Sequence, residues 1–179
     1  MCIRDREEID IVYVSVIAAM YTALTIALGF ISYGPIQFRI SDALLILPYH
    51  KRFGKSAIIG LTIGGFLGNI PSPYVPWDLL VGPVANFIAA SIVYGFGELK
   101  RRVGRGSYLY MGLAITASLI GSILIALIVA YEIVIMELNV FEWGAYVGIV
   151  ISVFIGELVA FVLGGAVLLN HLRFVMPEE

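Results

Sequence analysis

Eleven residues between two apolar runs decide the fold of this chain: Ser32-Tyr33-Gly34-Pro35-Ile36-Gln37-Phe38-Arg39-Ile40-Ser41-Asp42. Gly34-Pro35 ends any helix before it, because proline lacks a backbone N–H and has a fixed φ. Hydrogen-bonding side chains then alternate with apolar ones, and they include Gln37, Arg39 and Asp42. This mixture suits the capture of a flat polar molecule. The alternative is an ordinary surface loop in which Arg39 pairs with Asp42.

The composition predicts a membrane protein. Of the 179 residues 60% are hydrophobic and only 13% are charged, and the mean hydropathy is +0.98. A soluble domain is nearer half apolar and a quarter charged. The net charge of −2 and the lack of a basic face give no indication of nucleic-acid binding. Cys2 is the only cysteine, which excludes an intrachain disulfide and cysteine-based zinc sites.

The apolar runs predict an all-α membrane protein, a compact bundle of about six transmembrane helices. We expect helices over residues 11–31, 43–49, 56–70, 79–97, 108–131 and 144–170. The expected domains are a solvated tail over 1–10, one transmembrane domain over 11–173 and a C-terminal tail over 174–179. The second helix is too short to cross about 30 Å of hydrocarbon, even if it begins at Phe38. It is either a short crossing completed by a structured outer loop or a re-entrant helix. Both arrangements need that loop to be buried in protein or to line a cavity.

The basic residues predict the orientation. If six helices cross the membrane and the N-terminus is cytoplasmic, ten of the 11 Lys and Arg residues face inward and only Arg39 faces outward. Five crossings with the N-terminus outside fit nearly as well. Both arrangements place the loop 34–42 and the loops with Asp78, Glu132 and Glu142 on the outer side. We expect a multi-pass protein of the cell membrane with both termini in the cytoplasm.

Two stripes of small residues predict close helix contacts. Ala19, Ala23 and Ala27 recur every four residues on the first helix, and Gly60, Gly64 and Gly68 do so on the third. The alanine stripe either packs against a neighbouring helix of the same chain or docks to a separate subunit. The sequence leaves both readings open.

Several polar residues in the apolar segments are candidates for the site. Glu157 lies near the middle of the sixth segment, where a carboxylate costs about 2.5–3.5 kcal/mol, so it should face a partner or a wet cavity. The alternative is a structural hydrogen bond or a neutral, protonated acid within the bundle. Asn86 is a second candidate, although a buried amide also ties helices together. Asp78 is a third, or simply the N-cap of the fourth helix. Glu132 is a fourth, or an ordinary carboxylate at the end of the fifth.

No catalytic or metal-binding constellation is visible, so an enzyme is not expected and neither is a cofactor. Gly54-Lys55-Ser56 is not a phosphate loop, because the required earlier glycine is replaced by Tyr49. The chain therefore has no ATPase of its own. Arg39 with several carboxylates describes a pocket for a polar solute. Carboxylates accept from the N–H edge of a guanine-like base, and they also pair with an amine.

The chain has one long motif, Ile31-Ser-Tyr-Gly-Pro-Ile-Gln-Phe-Arg-Ile-Ser-Asp-Ala-Leu-Leu-Ile-Leu-Pro-Tyr49. Two shorter motifs are Trp77-Asp78-Leu-Leu-Val-Gly82, and Gly156-Glu157-Leu-Val with Leu163-Gly164. These motifs resemble those of the QueT family of queuosine-precursor transporters, and the resemblance covers most of the chain. The loop from Pro71 to Pro76 is richer in proline than the family pattern, which affects the expected shape of the outer rim.

This resemblance implies a substrate-binding (S) component of an energy-coupling factor transporter. Its partners would be a transmembrane coupling subunit and two cytoplasmic ATPases, and its solute a 7-deazaguanine precursor of queuosine. The alanine stripe resembles the face by which such components dock to the coupling subunit. Expected substrate-binding residues are Gln37, Arg39, Asp42, Asp78, Asn86, Glu132 and Glu157. Two further hypotheses are a proton-coupled carrier in which Glu157 titrates and a membrane scaffold without transport.

Overall fold

The described part of the chain is built from helices alone. The computed structural model describes residues 9–33, 38–103, 107–138 and 140–176, and no strand occurs in these ranges. The helices are α1 (Ile11–Ala27), α2 (Gly29–Ser32), a 3₁₀ helix (Ile40–Tyr49), α3 (Gly54–Gly68), α4 (Asp78–Val103), α5 (Ser107–Leu138), α6 (Trp143–Glu157) and α7 (Gly165–Val175). A π-helical segment (Leu158–Gly164) joins α6 to α7 without a break.

The predicted helical membrane bundle is confirmed. Three helices are long and apolar enough to cross a membrane: Asp78–Val103, Tyr108–Met136 and Trp143–Val175. Three shorter apolar helices accompany them: Ile11–Ala27, Ile40–Tyr49 and Gly54–Gly68. These six apolar helices correspond in order to the six predicted segments, and the second one is short as expected.

Several helix ends differ from the prediction. The first helix ends at Ala27 rather than at residue 31, because Leu28 leaves helical geometry with φ −105° and ψ 23°. One more helical turn, α2, follows before the segment 34–37. In contrast, α4 and α5 run past their apolar stretches to Val103 and Leu138. Lys, Arg, Glu, Leu and Met extend them because these residues are good helix formers.

The 3₁₀ helix forms the centre of the bundle. Eight of its residues, from Ser41 to Tyr49 with the exception of Ala43, are buried. It packs against α1, α3, α4, α7 and the π-helical segment. A 3₁₀ helix rises about 2 Å per residue, so these ten residues span about 20 Å, a third more than an α-helix of the same length. This stretching lets a short segment reach deep into the protein.

The glycine stripe of α3 packs against α1, as its spacing predicts. A methyl group on Gly60 would lie 2.9 Å from the carbonyl oxygen of Val14, and one on Gly64 would lie 2.8 Å from Cβ of Tyr21. At Gly68 the corresponding distance to Cβ of Thr25 is 3.2 Å. Side chains on α3 would thus push α1 away. The glycines therefore set the position of α1 and of the polar groups that it presents to the 3₁₀ helix.

We predict that Gly64→Ala destabilises the protein by about 1–3 kcal/mol, because the new methyl group overpacks the contact with α1. The matched control is Gly148→Ala, since a methyl group at Gly148 would meet nothing within 4 Å. There alanine should be neutral or stabilising because of its higher helix propensity. Denaturant unfolding in detergent measures both variants. Equal stabilities would contradict the close α1–α3 contact.

Candidate functional site

Arg39 lies at the start of the 3₁₀ helix and is only 7% exposed. Its Nε donates to the carbonyl oxygen of Ser32 at 3.5 Å. Burial alone would lower the pKa of Arg39, but the nearby Tyr21, Asp42, Asp78 and Glu157 raise it above its ordinary value. The guanidinium therefore stays charged inside the protein. A buried cation of this kind needs acidic partners.

Asp42 and Glu157 form the first carboxyl pair of the site. They come from the 3₁₀ helix and from the last residue of α6, and both are at most 3% exposed. The two carboxyl groups lie near enough to act on one another electrostatically. The Tyr21 hydroxyl donates to Oδ1 of Asp42, whereas Oε2 of Glu157 has no hydrogen-bond partner among the described residues. A site that binds solute would leave such an acceptor available.

α1 holds the start of the 3₁₀ helix in place. The Thr25 hydroxyl lies 2.8 Å from Oγ of Ser41 and 2.8 Å from the carbonyl oxygen of Tyr21. The Tyr21 hydroxyl reaches the next residue, Asp42. These contacts fix the direction of the Asp42 carboxylate. They depend on the close approach of α1 that the α3 glycines allow.

Asp78 and Glu132 form the second carboxyl pair, at the contact between α4 and α5. They are 3% and 6% exposed, and the two carboxyl groups lie near enough to act on one another electrostatically. The Ser72 hydroxyl donates to Oδ2 of Asp78, and Nδ2 of Asn69 donates to its carbonyl oxygen at 2.9 Å. Both carboxyl oxygens of Glu132 are buried without a hydrogen-bond partner in the described ranges. Arg39 acts electrostatically on this pair as well.

A cavity lies between these groups. The space between them, including the part that is open to solvent, has an empty volume of about 310 Å³. Its polar lining consists of Arg39, Asp42, Asn86 and Glu157, and its other walls are Gly82, Ala85, Ile125, Val129 and Val153. Polar edges and flat apolar walls together are suited to a planar molecule with several N–H groups.

The structure brings four predicted residues to this one cavity: Arg39, Asp42, Asn86 and Glu157. Asp78 and Glu132 lie next to it, one helical turn beyond Gly82 and Val129 on the same faces of α4 and α5. Gln37 lies outside the described residues. Whether any of these residues contacts a solute stays a prediction.

The structure decides between several of the alternative interpretations of these residues. The stretch around Arg39 and Asp42 is not a surface loop, because both side chains are buried. Glu132 is not at a helix end, because α5 continues to Leu138. Asn86 does tie two helices together, since its Nδ2 donates to the carbonyl oxygen of Leu61 at 3.3 Å, but it also faces the cavity. Asp78 is the first residue of α4.

Sequence reasoning missed three residues of the site: Tyr21, Asn69 and Ser72. The signal for Tyr21 is its place in the middle of an apolar helix, where a buried hydroxyl needs a partner. Asn69 and Ser72 lie between α3 and α4, where the prolines are the clearest signal in the sequence. Their role is to hold Asp78 by two hydrogen bonds.

Comparison with known proteins gives one family. The sequence model of the family described as QueT transporter matches residues 11–173. The chain is 40% identical over 86 residues to the queuosine precursor transporter QueT of Lactococcus lactis subsp. cremoris (strain MG1363). This match covers 46% of the chain and 48% of the relative, so the chain spans about half the length of the curated relative that it matches. No solved structure matches the chain.

We predict that Arg39→Met lowers the free energy of unfolding by about 3–5 kcal/mol at neutral pH, because it leaves the buried carboxylates without their cation. The loss should shrink as the pH falls, since protonated carboxyl groups no longer need that charge. Denaturant unfolding in detergent at two pH values measures this difference.

Arg52→Met is the control for this prediction. Arg52 is exposed, and its Nε donates to the Tyr13 hydroxyl at 2.6 Å. An exposed contact of this kind should contribute less than about 1 kcal/mol. A similar loss in both variants, or a loss at Arg39 that does not depend on pH, would contradict the electrostatic role of Arg39.

Proposed function

The chain belongs to the QueT transporter family, and we propose that it is the membrane-embedded substrate-binding (S) component of an energy-coupling factor importer. Its solute would be a queuosine precursor or a related 7-deazaguanine base. The observation that supports this proposal is the cavity in which Arg39, Asp42, Asn86 and Glu157 surround a space with apolar walls. The family is a transporter family, so we expect no enzymatic activity.

The chemistry of the cavity fits a guanine-like base. Such a base presents N–H donors on one edge and a carbonyl acceptor beside them. The Glu157 carboxylate, whose Oε2 has no partner in the described part of the chain, is a suitable acceptor for that edge. Arg39 and the amide of Asn86 supply donors, and Ile125, Val129 and Val153 pack against the flat faces of the ring.

The alanine stripe of α1 is the proposed docking face for the coupling subunit. Ala19, Ala23 and Ala27 are exposed, whereas α3 packs against the other side of α1. Small residues let a second helix approach closely within the bilayer. The partners would be this transmembrane subunit and two cytoplasmic ATPases. The ATPases would supply the energy for transport, since the only candidate phosphate loop in the sequence, Gly54-Lys55-Ser56, does not fit the pattern.

We place both termini in the cytoplasm on the basis of the Lys and Arg distribution. In this orientation Asp78 and the start of the 3₁₀ helix lie near the outer surface, and solute enters from outside. The buried carboxyl pairs also suit a second function, a proton-coupled carrier that uses Glu157. Uptake by the purified chain alone in liposomes, driven by a pH gradient, would favour that carrier, and uptake only with ATP and partner subunits would exclude it.

We predict that Glu157→Gln weakens binding of a 7-deazaguanine precursor by about 10-fold or more, because a charged acceptor becomes a neutral amide that presents an N–H₂ group. Binding in detergent can be followed by the fluorescence of Trp77, which directly precedes Asp78. Guanine and an unrelated vitamin serve as ligand controls.

The control variant for this titration is Glu142→Gln. Glu142 is exposed and caps α6 by accepting from the backbone N–H groups of Gly144 and Ala145, away from the cavity. Its substitution should leave the affinity unchanged. Unchanged affinity in folded Glu157→Gln would show that Glu157 is not part of the site. If the wild type does not bind the precursor, the solute is not a 7-deazaguanine precursor of this kind.

We predict that Ala23→Phe abolishes ATP-driven uptake while solute binding to the isolated chain stays within about twofold of the wild type. The phenyl ring would hold the coupling subunit away from the small face of α1. Uptake is measured in vesicles that contain the chain with a coupling subunit and two ATPases. Val167→Phe, at a 72% exposed position on α7, is the control. Equal uptake in both variants would place the docking face elsewhere.

A further inference from the structure

The aromatic ring of Tyr110 lies close to two cations from neighbouring helices. Tyr110 is buried in the first turn of α5. Nζ of Lys100, near the end of α4, lies 4.6 Å from the centre of this ring, and Cζ of Arg173, near the end of α7, lies 5.2 Å from it. The two charged groups are therefore at most about 10 Å apart. Three helices thus bring two positive charges together around one ring.

The end of the 3₁₀ helix holds this ring and the end of α4 in place. The Tyr49 hydroxyl donates to the carbonyl oxygen of Tyr110 at 2.7 Å, and the two rings meet edge to face with their centres 5.1 Å apart. Nη1 of Arg101 donates to the carbonyl oxygen of Tyr49 at 3.4 Å. A methyl group on Gly97 would lie 2.6 Å from that same oxygen, so α4 approaches very closely here. Packing therefore fixes the helix that carries Lys100 relative to the ring.

Basic side chains outnumber acidic ones at this end of the bundle. α1 and α3 begin here as well, where the N–H of Asp10 donates to Oγ of Ser56 at 2.9 Å. The acidic residues of this end within the described ranges are Asp10, which caps α1, and Glu98, which accepts from Arg101. The basic residues in the same ranges are Lys51, Arg52, Lys55, Lys100, Arg101, Arg102 and Arg173. An aromatic ring attracts a cation but leaves its charge in place, so this end attracts anions.

Large apolar side chains are exposed at the same helix ends. Tyr108 on α5 is 96% exposed and Phe174 on α7 is 90% exposed. Leu99 and Val103 on α4 and Val175 on α7 are exposed as well. At a membrane surface such side chains pack against acyl chains, while the basic groups beside them meet lipid headgroups. The combination therefore favours a lipid over a soluble anion.

We propose that Lys100 and Arg173, held against Tyr110, bind the headgroup phosphate of an anionic phospholipid. Both side chains are partly exposed, so a headgroup can reach them from the membrane surface. The guanidinium pairs with two phosphate oxygens and the ammonium group with a third. The acyl chains lie against the exposed apolar side chains of α5 and α7. Basic pockets between transmembrane helices on the cytoplasmic side suit anionic headgroups, and this is the cytoplasmic end in the orientation proposed above.

The lipid site is separate from the solute cavity. From Asn86, which lines the cavity, to Lys100 the α4 backbone rises about 21 Å. The inference therefore does not depend on the proposed function, and either can fail without the other. A carboxylate of a partner protein is the other anion that these charges could meet. It would use the two cations but not the exposed apolar side chains beside them, so the structure favours the lipid.

The test is native mass spectrometry of the full chain in detergent, titrated with phosphatidylglycerol or with phosphatidylcholine of the same acyl chains. We expect the wild type to bind the anionic lipid about 10-fold or more tightly, because two basic side chains contact its phosphate. In Lys100→Gln/Arg173→Gln this preference should fall to about twofold or less. The matched control is Lys55→Gln/Arg102→Gln, which removes one Lys and one Arg at exposed positions of the same end. It should keep the preference of the wild type.

A competition experiment separates the lipid from a soluble phosphate. Glycerol 3-phosphate carries the phosphate group without acyl chains, so it should displace the bound phosphatidylglycerol only at concentrations about 100-fold higher than a short-chain phosphatidylglycerol does. Displacement by both at similar concentrations would overturn the lipid and assign the site to a soluble anion.

Three other outcomes would overturn the proposal. One is equal binding of both lipids by the folded wild type. Another is an equal loss of preference in the two double variants, since net charge alone would then explain the binding. The third is a loss of assembly with the coupling subunit in Lys100→Gln/Arg173→Gln when the wild type shows no lipid preference, which would assign the charges to a partner protein. Should that double variant not fold, the single variants Lys100→Gln and Arg173→Gln and the two lipids on the wild type still decide.

Discussion

The buried guanidinium of Arg39 holds the polar centre of this protein together. Arg39 enters the bundle at the start of the 3₁₀ helix and acts on carboxyl groups from three other directions: Asp78 on α4, Glu132 on α5 and Glu157 at the end of α6. In a bilayer, water is not available to solvate these charges, so each needs a partner within the protein. The packing of the helices around Arg39 therefore also brings the side chains of the candidate site together.

Backbone geometry is the second constraint. The chain must bring Arg39 and Asp42 into the bundle and still return to the opposite side within ten helical residues, which the 3₁₀ form achieves by its longer rise. Such a long 3₁₀ helix is unusual, and its hydrogen bonds are poorer than those of an α-helix. Its stability comes from the burial of eight of its ten residues and from the contacts of Tyr21 and Thr25 on α1. The glycines of α3 make room for these contacts.

The sequence predicts the class, the six apolar helices and most of the candidate site, because long uncharged runs and isolated carboxylates are local signals. It does not predict the 3₁₀ form, because a run of ten mostly apolar residues is compatible with an α-helix as well as with a 3₁₀ helix. It also places Glu132 at a helix end, because the apolar stretch stops there although the helix continues to Leu138. The pairing of Asp42 with Glu157, and the Tyr21 hydroxyl that supports it, depend on residues far apart in the chain. No local pattern contains that information.

The described residues around Arg39 carry an excess of acid over base. A buried ion pair is on its own neutral or destabilising compared with well-packed apolar side chains. Four carboxyl groups around one guanidinium are less favourable still, and an apolar residue in place of Glu132 would remove an acceptor that has no donor among the described residues. Stability alone therefore gives no reason for this arrangement. If the chain binds a solute at this place as proposed, a ligand that brings N–H donors would pair with acceptors that have no donor among the described residues. Part of its binding energy would then come from relieving a cost that the folded protein already bears.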